Sequence, residues 1–421
     1  MSDVHLRWGR CIAALLLCAA AGAQADSDIA GQVRVRWDDR QPSGRGPLTL
    51  ASQLAPELVP PPASSGAIES ELRGHWRMLH VSLAARQEHP EGGAWHSDAT
   101  VNELYAGGEA AGWHLSAGRK IVSWDVGYGF RPNDIVQQET RRTLLTSTPQ
   151  GRAVLQAERF DADSAWSLVW INPQRPRNGD ALARGPDEQA LAMRLYRHDG
   201  SADWHGFARL GERTRGSVGA AVSWVATDTL ELHASARWAE RSDAIAQQPA
   251  VQGLVGSNPY REVMLHGTTQ ALIGANWTGE NKLSLMAEAW FDGTAPSNAQ
   301  WSQWSARNAG LAQMLSPAAP EALRRGVAGN LGWQGQSFVG QNLRRTNLYL
   351  RGAWDHEGWQ PVLDMLYTPA DGGRVVTASL AWQGNQLHLD AGVRLYGGPG
   401  SAVLAQLPLR RVVYLAATWA L

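Results

Sequence analysis

Cysteine is almost absent from this 421-residue chain, occurring only as Cys11 and Cys18. Both fall within residues 1–25, which read as a cleaved signal peptide. Arg7 and Arg10 precede an apolar run from Cys11 to Ala23, and Ala23-Gln24-Ala25 supplies the small-x-small pattern of a cleavage site. The chain expected after cleavage, residues 26–421, can form neither a disulfide nor a thiolate metal site. Charge is scarce too: Asp, Glu, Lys and Arg make up 18% of the residues, against about 25% in ordinary globular domains. The net charge of −1 offers no basic excess for nucleic acid. Lysine is confined to Lys120 and Lys282, so nearly every basic side chain is a guanidinium. After residue 25 no apolar run approaches the ~18 residues that mark a membrane-spanning helix. An exported chain of this kind is either water-soluble or crosses a membrane as a closed β-barrel, the only other structure that satisfies its backbone in lipid.

Tryptophan, by contrast, is abundant: 20 Trp exceed the 5 Phe and 8 Tyr combined. The hydrophobic pattern has period two. Leu230, Leu232, Ala234, Ala236 and Trp238 alternate with Glu231, His233, Ser235 and Arg237. Leu283, Leu285, Ala287, Ala289 and Phe291 alternate with Ser284, Met286, Glu288 and Trp290, and Leu387 to Tyr396 repeats the pattern. Such segments are strands with one apolar and one polar face. They run about 10 residues, the length a tilted strand needs to cross a bilayer, whereas soluble strands average about 5–6. The apolar face of Ala, Leu and Val with Trp at one end suits lipid contact and an interfacial girdle. The fold class expected is all-β: a transmembrane antiparallel β-barrel filling residues 26–421 as a single domain.

Short turns alternate with long connections. Asp161-Ala162-Asp163, Asp199-Gly200, Thr227-Asp228, Gly279-Glu280-Asn281, His356-Glu357 and Gly384-Asn385 are turn sequences. Longer stretches lie near 125–151, 173–187, 240–263, 293–342 and 397–409, those at 125–151 and 293–342 being the longest loops. With a periplasmic C-terminus, all the short turns fall on the periplasmic side. Alternation places seventeen strand centres, one of them near residue 76. Single-chain bacterial barrels have even numbers, so eighteen strands are expected, with sixteen next. The missing strand is sought in the Pro-rich region 39–68, around Leu48 to Leu54.

Gly118 to Asp134 reads GRKIVSWDVGYGFRPND and gathers Arg119, Lys120, Asp125, Arg131 and Asp134 around glycines and aromatics; Glu139, Arg141 and Arg142 follow. Glycines would let this segment fold back against a barrel wall, and its charges could then set a field across a constriction. The pattern resembles the GR…WG…F.P.D segment of several outer-membrane porin-like families, with Asp125 where Gly usually follows Trp. Val413, Leu415, Ala417, Trp419 and Leu421 resemble the terminal strand signal read by the barrel-assembly machinery, with Leu421 where an aromatic is usual. Polar-parity charges expected in the lumen are Arg73, Arg77, Arg194, Arg237, Arg351 and Arg394, with Glu231, Glu288, Asp364 and Asp390. Within 293–342, residues 305–315 and 320–327 have helical composition. That stretch could fold inward, form a lid, or bind lipopolysaccharide phosphates.

The seven histidines on strand segments are scattered, and no Gly-x-Ser-x-Gly elbow or metal-ligand spacing stands out. No enzyme activity, metal or cofactor is expected. The reading is an outer-membrane, porin-like channel for passive diffusion of small hydrophilic solutes, with anions favoured if arginine dominates the lumen. The expected partners are outer-membrane lipids, lipopolysaccharide, the barrel-assembly machinery and small solutes. Two other readings stay open: an exporter of acidic polysaccharide, similar in outline to the Arg-lined alginate-export porins, and a non-conducting surface or adhesion barrel.

Overall fold

The computed structural model describes residues 27–138, 144–145, 148–172, 187–248 and 255–421. Glu139, Arg141 and Arg142, and the signal peptide expected at 1–25, lie outside these. Eighteen antiparallel strands follow one another around a closed barrel, each bonded to its sequence neighbours. β1 (Ser27–Pro42) closes the ring between β2 (Ser65–Trp76) and β18 (Leu409–Ala420). Closure leaves no unpaired edge, the condition a bilayer imposes on strands.

All six short turns read from the sequence lie on one rim, which also carries the ends of β1 and β18. We call it the near rim. There the exposed Trp side chains collect: Trp76, Trp166, Trp204, Trp224, Trp277, Trp354, Trp359 and Trp419 lie at or within a few residues of their strand ends. Indole combines apolar area with one N–H donor, so it prefers the boundary between hydrocarbon and headgroups. Between the rims the outward positions are Leu, Val, Ile and Ala; Val35, Leu168, Ile273, Leu363 and Leu415 are exposed examples.

Three sequence expectations are corrected. The segment centred near residue 76 is two strands, β2 and β3 (Leu79–Pro90), joined at Arg77-Met78, where Arg77 has φ 52°. This split supplies the eighteenth strand. Leu48 to Leu54 instead belongs to helix α1 (Pro47–Leu54). Pro47 occupies the first turn, where its fixed φ suits a helix and its missing N–H costs nothing. Leu50, Ala51 and Leu54 then share one face and pack on two further helices. Within the stretch 240–263, residues 240–247 and 260–263 are strand, because β11 (Leu230–Gln247) and β12 (Tyr260–Thr278) continue paired well beyond their neighbours.

On the far rim, the long connection after β13 (Leu283–Asp292) forms α2 (Asn298–Gln313) and α3 (Glu321–Trp333). Ser297 starts α2 with a capping box: its hydroxyl accepts the Gln300 amide, and the Gln300 side chain accepts the Ser297 amide. Ala51 of α1, Leu311 of α2, and Val327 and Leu331 of α3 make a small fully buried core. Trp301, Trp304, Tyr260 and Val403 fasten this helical cap to the barrel mouth.

Candidate functional site: an inward segment and a bore

Residues 121–138, between β5 (Trp113–Lys120) and β6 (Arg152–Phe160), turn into the barrel. Val122, Trp124, Ile135 and Val136 pack on Val154 of β6, Val169 of β7 (Ser164–Ile171), Ala192 of β8 (Ala190–Asp199), Phe207 of β9 (Ala202–Gly211) and Ala221 of β10 (Arg215–Thr227). Farther on, Phe130 stacks on Trp290 (centroids 6.0 Å apart) and Tyr128 on Tyr349 (5.9 Å). The segment thus lines the wall from β6 to β14 (Thr346–Trp354), about half the circumference.

Its polar groups hold it there. Asp134 accepts hydrogen bonds from the amides of Trp124 (3.0 Å) and Asp125 (3.2 Å) and from the Ser123 hydroxyl. Asp125 accepts the Asn133 amide at 2.5 Å and the Ser235 hydroxyl of β11 at 2.9 Å. Asn133 is fully buried and donates to the carbonyls of Ala220 and Ala236 and to Ser235. Gly219 on β10 (Arg215–Thr227) makes room: a Cβ there would lie 1.9 Å from Asn133 Oδ1. Glu288 on β13 accepts the amides of Tyr128 (2.7 Å) and Gly129 (2.6 Å), while His233 of β11 sits 3.0 Å from it. Arg131 bonds Ser123 and the Asp125 carbonyl and lies 3.7 Å from Asp134.

The three candidate charges Asp125, Arg131 and Asp134 are therefore turned into the segment's own fastening, with both carboxylates only 3% exposed. Burial raises both carboxyls. Asp134 is pushed up to about 6, its rise reinforced by the Asp125 charge and opposed by Arg131.

The other sequence candidates fall in several places. Lys120 points inward, bonded to Ser116 and 5.1 Å above the Tyr105 ring. Arg119 pairs with Leu104 and Ala153 and shares the outward parity of exposed Leu115, so it faces lipid at the far end of β5. The alternation of β5, paired without a register shift to β4 (His96–Ala110) and β6, puts the neighbouring Lys120 inside instead. Arg77 is no lumen residue, because it sits in the near-rim turn over the Trp76 ring. Arg73, Arg194, Arg237, Glu231 and Glu288 lie on the inward parity. Arg73 bonds Glu71 and Thr148, Arg194 approaches His205, and Glu231 accepts from Ser223.

Arg351, Arg394, Asp364 and Asp390 are brought together. They line a cavity of about 570 Å³ bounded by β14, β15 (Trp359–Thr368), β16 (Gly373–Gln383), β17 (Leu387–Gly397), β18, β1 and the inward segment. Arg34 of β1 joins them, as do Tyr128, Tyr349, Tyr396 and Tyr414. Arg351 lies 4.0 Å from Asp364, Arg394 donates to Thr377, and Tyr414 donates to Asp390 at 2.7 Å. Arg34 pairs with Glu69 at 3.3 Å. Leu144 and Leu145 also line it. Thr148 donates to Glu71 of β2 at 2.6 Å. Arg34, Tyr349 and Tyr414 escaped the sequence reading. The alternation Gln32, Arg34, Arg36, Asp38 on β1 was the available signal for Arg34; the tyrosines carried none beyond their parity.

No family model matches the chain. No curated protein matches it either. Among solved structures, OccAB1 of Acinetobacter baumannii superposes with a TM-score of 0.55 at 10% identity, over 95% of this chain and 98% of that one. OccAB3 of the same organism gives 0.51 at 9% identity, over 94% of this chain and 100% of that one. OccK5 (OpdH) of Pseudomonas aeruginosa gives 0.50 at 12%, over 95% and 99%. At such identities the likeness establishes the fold. With the lipid-facing belt and closed ring described above, the chain is an eighteen-stranded membrane β-barrel with the fold of these proteins.

Proposed function

We propose that the barrel is a passive channel for small hydrophilic solutes, with a preference for anions. One observation carries this reading: the inward segment fills one side of the lumen and leaves a polar bore of about 570 Å³ on the other. A filled lumen would have had apolar packing there; this one has guanidinium, carboxylate and phenol groups. Three guanidiniums, Arg34, Arg351 and Arg394, face two carboxylates, Asp364 and Asp390. A guanidinium stays charged in any accessible pH range and can engage a carboxylate or phosphate through two N–H groups. Selectivity would then come from bore width and this charge balance, with no cofactor and no catalytic step. The pore-charge roles first considered for residues 119–142 pass, in this proposal, to the β14–β18 wall.

The test is single-channel recording of the refolded protein in a planar bilayer under a potassium chloride gradient. Discrete open steps with a reversal potential on the anion side support the proposal. A correctly folded but silent barrel would overturn it in favour of a surface-binding role.

A further inference from the structure

A second cavity, separate from the bore, lies beneath the far-rim cap. It encloses about 140 Å³ between residues 134–138 of the inward segment, the wall from β9 (Ala202–Gly211) to β12, and the connection carrying α2 and α3. Four guanidiniums line it: Arg209 of β9, Arg237 and Arg241 of β11, and Arg345 just before β14.

The hydrogen-bonding balance of this cavity is one-sided. Its carboxylates are already engaged, and Gln137 Oε1 is the one lining side-chain acceptor buried without a partner among the described residues. Asp292 accepts from Gln270 (3.0 Å), Asn342 (2.8 Å) and the Thr294 hydroxyl (2.6 Å). Asp243 is held by Arg213, and Asp134 by Ser123 and two backbone amides. The donors are not. The Nε–H groups of Arg209, Arg237 and Arg241 are buried without a hydrogen-bond partner. Among the described residues Arg209 has a close carboxylate, Glu188 at 2.9 Å, and Arg241 a more distant one, Glu240 at 3.9 Å; Arg237 and Arg345 have none within 4.0 Å. Buried donors left unmade are costly, about 1–3 kcal/mol each and more for charged groups. A multivalent acceptor placed among them would offset that cost.

We propose that this cavity binds a small tetrahedral oxyanion of the phosphate class. The unpartnered donors come from β9 and β11, and Arg345 of the cap connection, whose Nε donates to the Ala295 carbonyl at 3.0 Å, adds a third direction of positive charge; this suits an acceptor with oxygens in several directions better than a planar carboxylate. The volume holds one such ion with a few waters and excludes anything much larger. The cap connection contributes Arg345, so an ion here would also tie the cap to the barrel wall.

Calorimetric titration of the purified full-length barrel in detergent, at constant ionic strength, tests the site with inorganic phosphate and with acetate. The expected result is saturable binding of one phosphate per chain, with acetate at least about tenfold weaker. Arg345→Gln and Arg241→Gln, which sit on different elements, should each weaken phosphate by about tenfold while the barrel keeps its heat-modifiable mobility on gels. No saturable heat, equal binding of acetate, or phosphate binding unchanged in both variants would overturn the proposal. Because the readout is binding and not current, it is independent of whether the bore conducts.

Discussion

Glu288 Oε2 accepts the backbone amide of Gly129 at 2.6 Å, joining residues 159 positions apart in the chain. The other oxygen accepts the Tyr128 amide, so one carboxylate clamps two successive N–H groups. A side chain at residue 129 would bring its Cβ to 2.9 Å from Glu288 Oε2 and 3.2 Å from the Trp290 ring. Glycine at 129 is thus a requirement of close approach. The clamp holds Tyr128, which lines the bore.

Glu288→Ala removes both charge-assisted bonds, each contributing about 1.5–3 kcal/mol. The tip of the segment should leave the wall intermittently. Single-channel recordings should then show several conductance levels in place of one. A single level at the wild-type value in the variant would contradict the clamp.

The carboxyl of Asp134 is raised to about 6 by burial. A detached, solvated segment would have the ordinary value near 3.8. Between roughly pH 4 and pH 6 the attached form therefore holds more protons than the detached form, and attachment weakens as pH rises through that window. Asp125 is shifted in the same direction and adds to the trend. Hydrogen exchange of residues 121–138 should be slower at pH 4.5 than at pH 7 once intrinsic rates are corrected, and Asp134→Asn should flatten the difference. Faster corrected exchange at the lower pH would refute the assignment.

Arg351→Glu with Arg394→Glu turns the bore from three guanidiniums and two carboxylates to one and four. The reversal potential in a potassium chloride gradient should move from the anion to the cation side. An unmoved potential would mean that ions pass elsewhere than between β14 and β18.

Leu331 is fully buried between α1, α2 and α3. Leu331→Ala should cost about 2–5 kcal/mol of local cap stability. Since the cap has its own small core, the barrel itself should stay intact. Limited proteolysis should cut within 293–345 faster than in wild type while the barrel remains heat-modifiable. Unchanged cleavage would show that the cap is held by its Trp301 and Trp304 contacts alone.

The strands were legible because each reports its faces locally: residues two apart share a face, whatever the neighbouring strand does. That is why Leu230 to Trp238 and Leu283 to Phe291 could be read without knowing their partners, and why Arg351, Arg394, Asp364 and Asp390 were placed on the polar parity. Arg119 shows the limit. It stands one residue from the strand end, so a one-residue misreading exchanges it with Lys120 across the wall. The Leu48–Leu54 helix was hidden for another reason: its apolar positions find their partners only in α2 and α3, some 250 residues later.

By itself, the sequence determined a closed barrel, its strand alternation, its short-turn rim and its tryptophan belt, because all of these follow from backbone satisfaction and side-chain period in lipid. Only the tertiary structure decided which half of the lumen is filled. The same charges, Asp125, Arg131 and Asp134, could have faced a bore or a wall. Ser235, which donates to Asp125, the gap at Gly219 that admits Asn133, and Glu288, which accepts the Tyr128 and Gly129 amides, hold the segment and its charges against the wall.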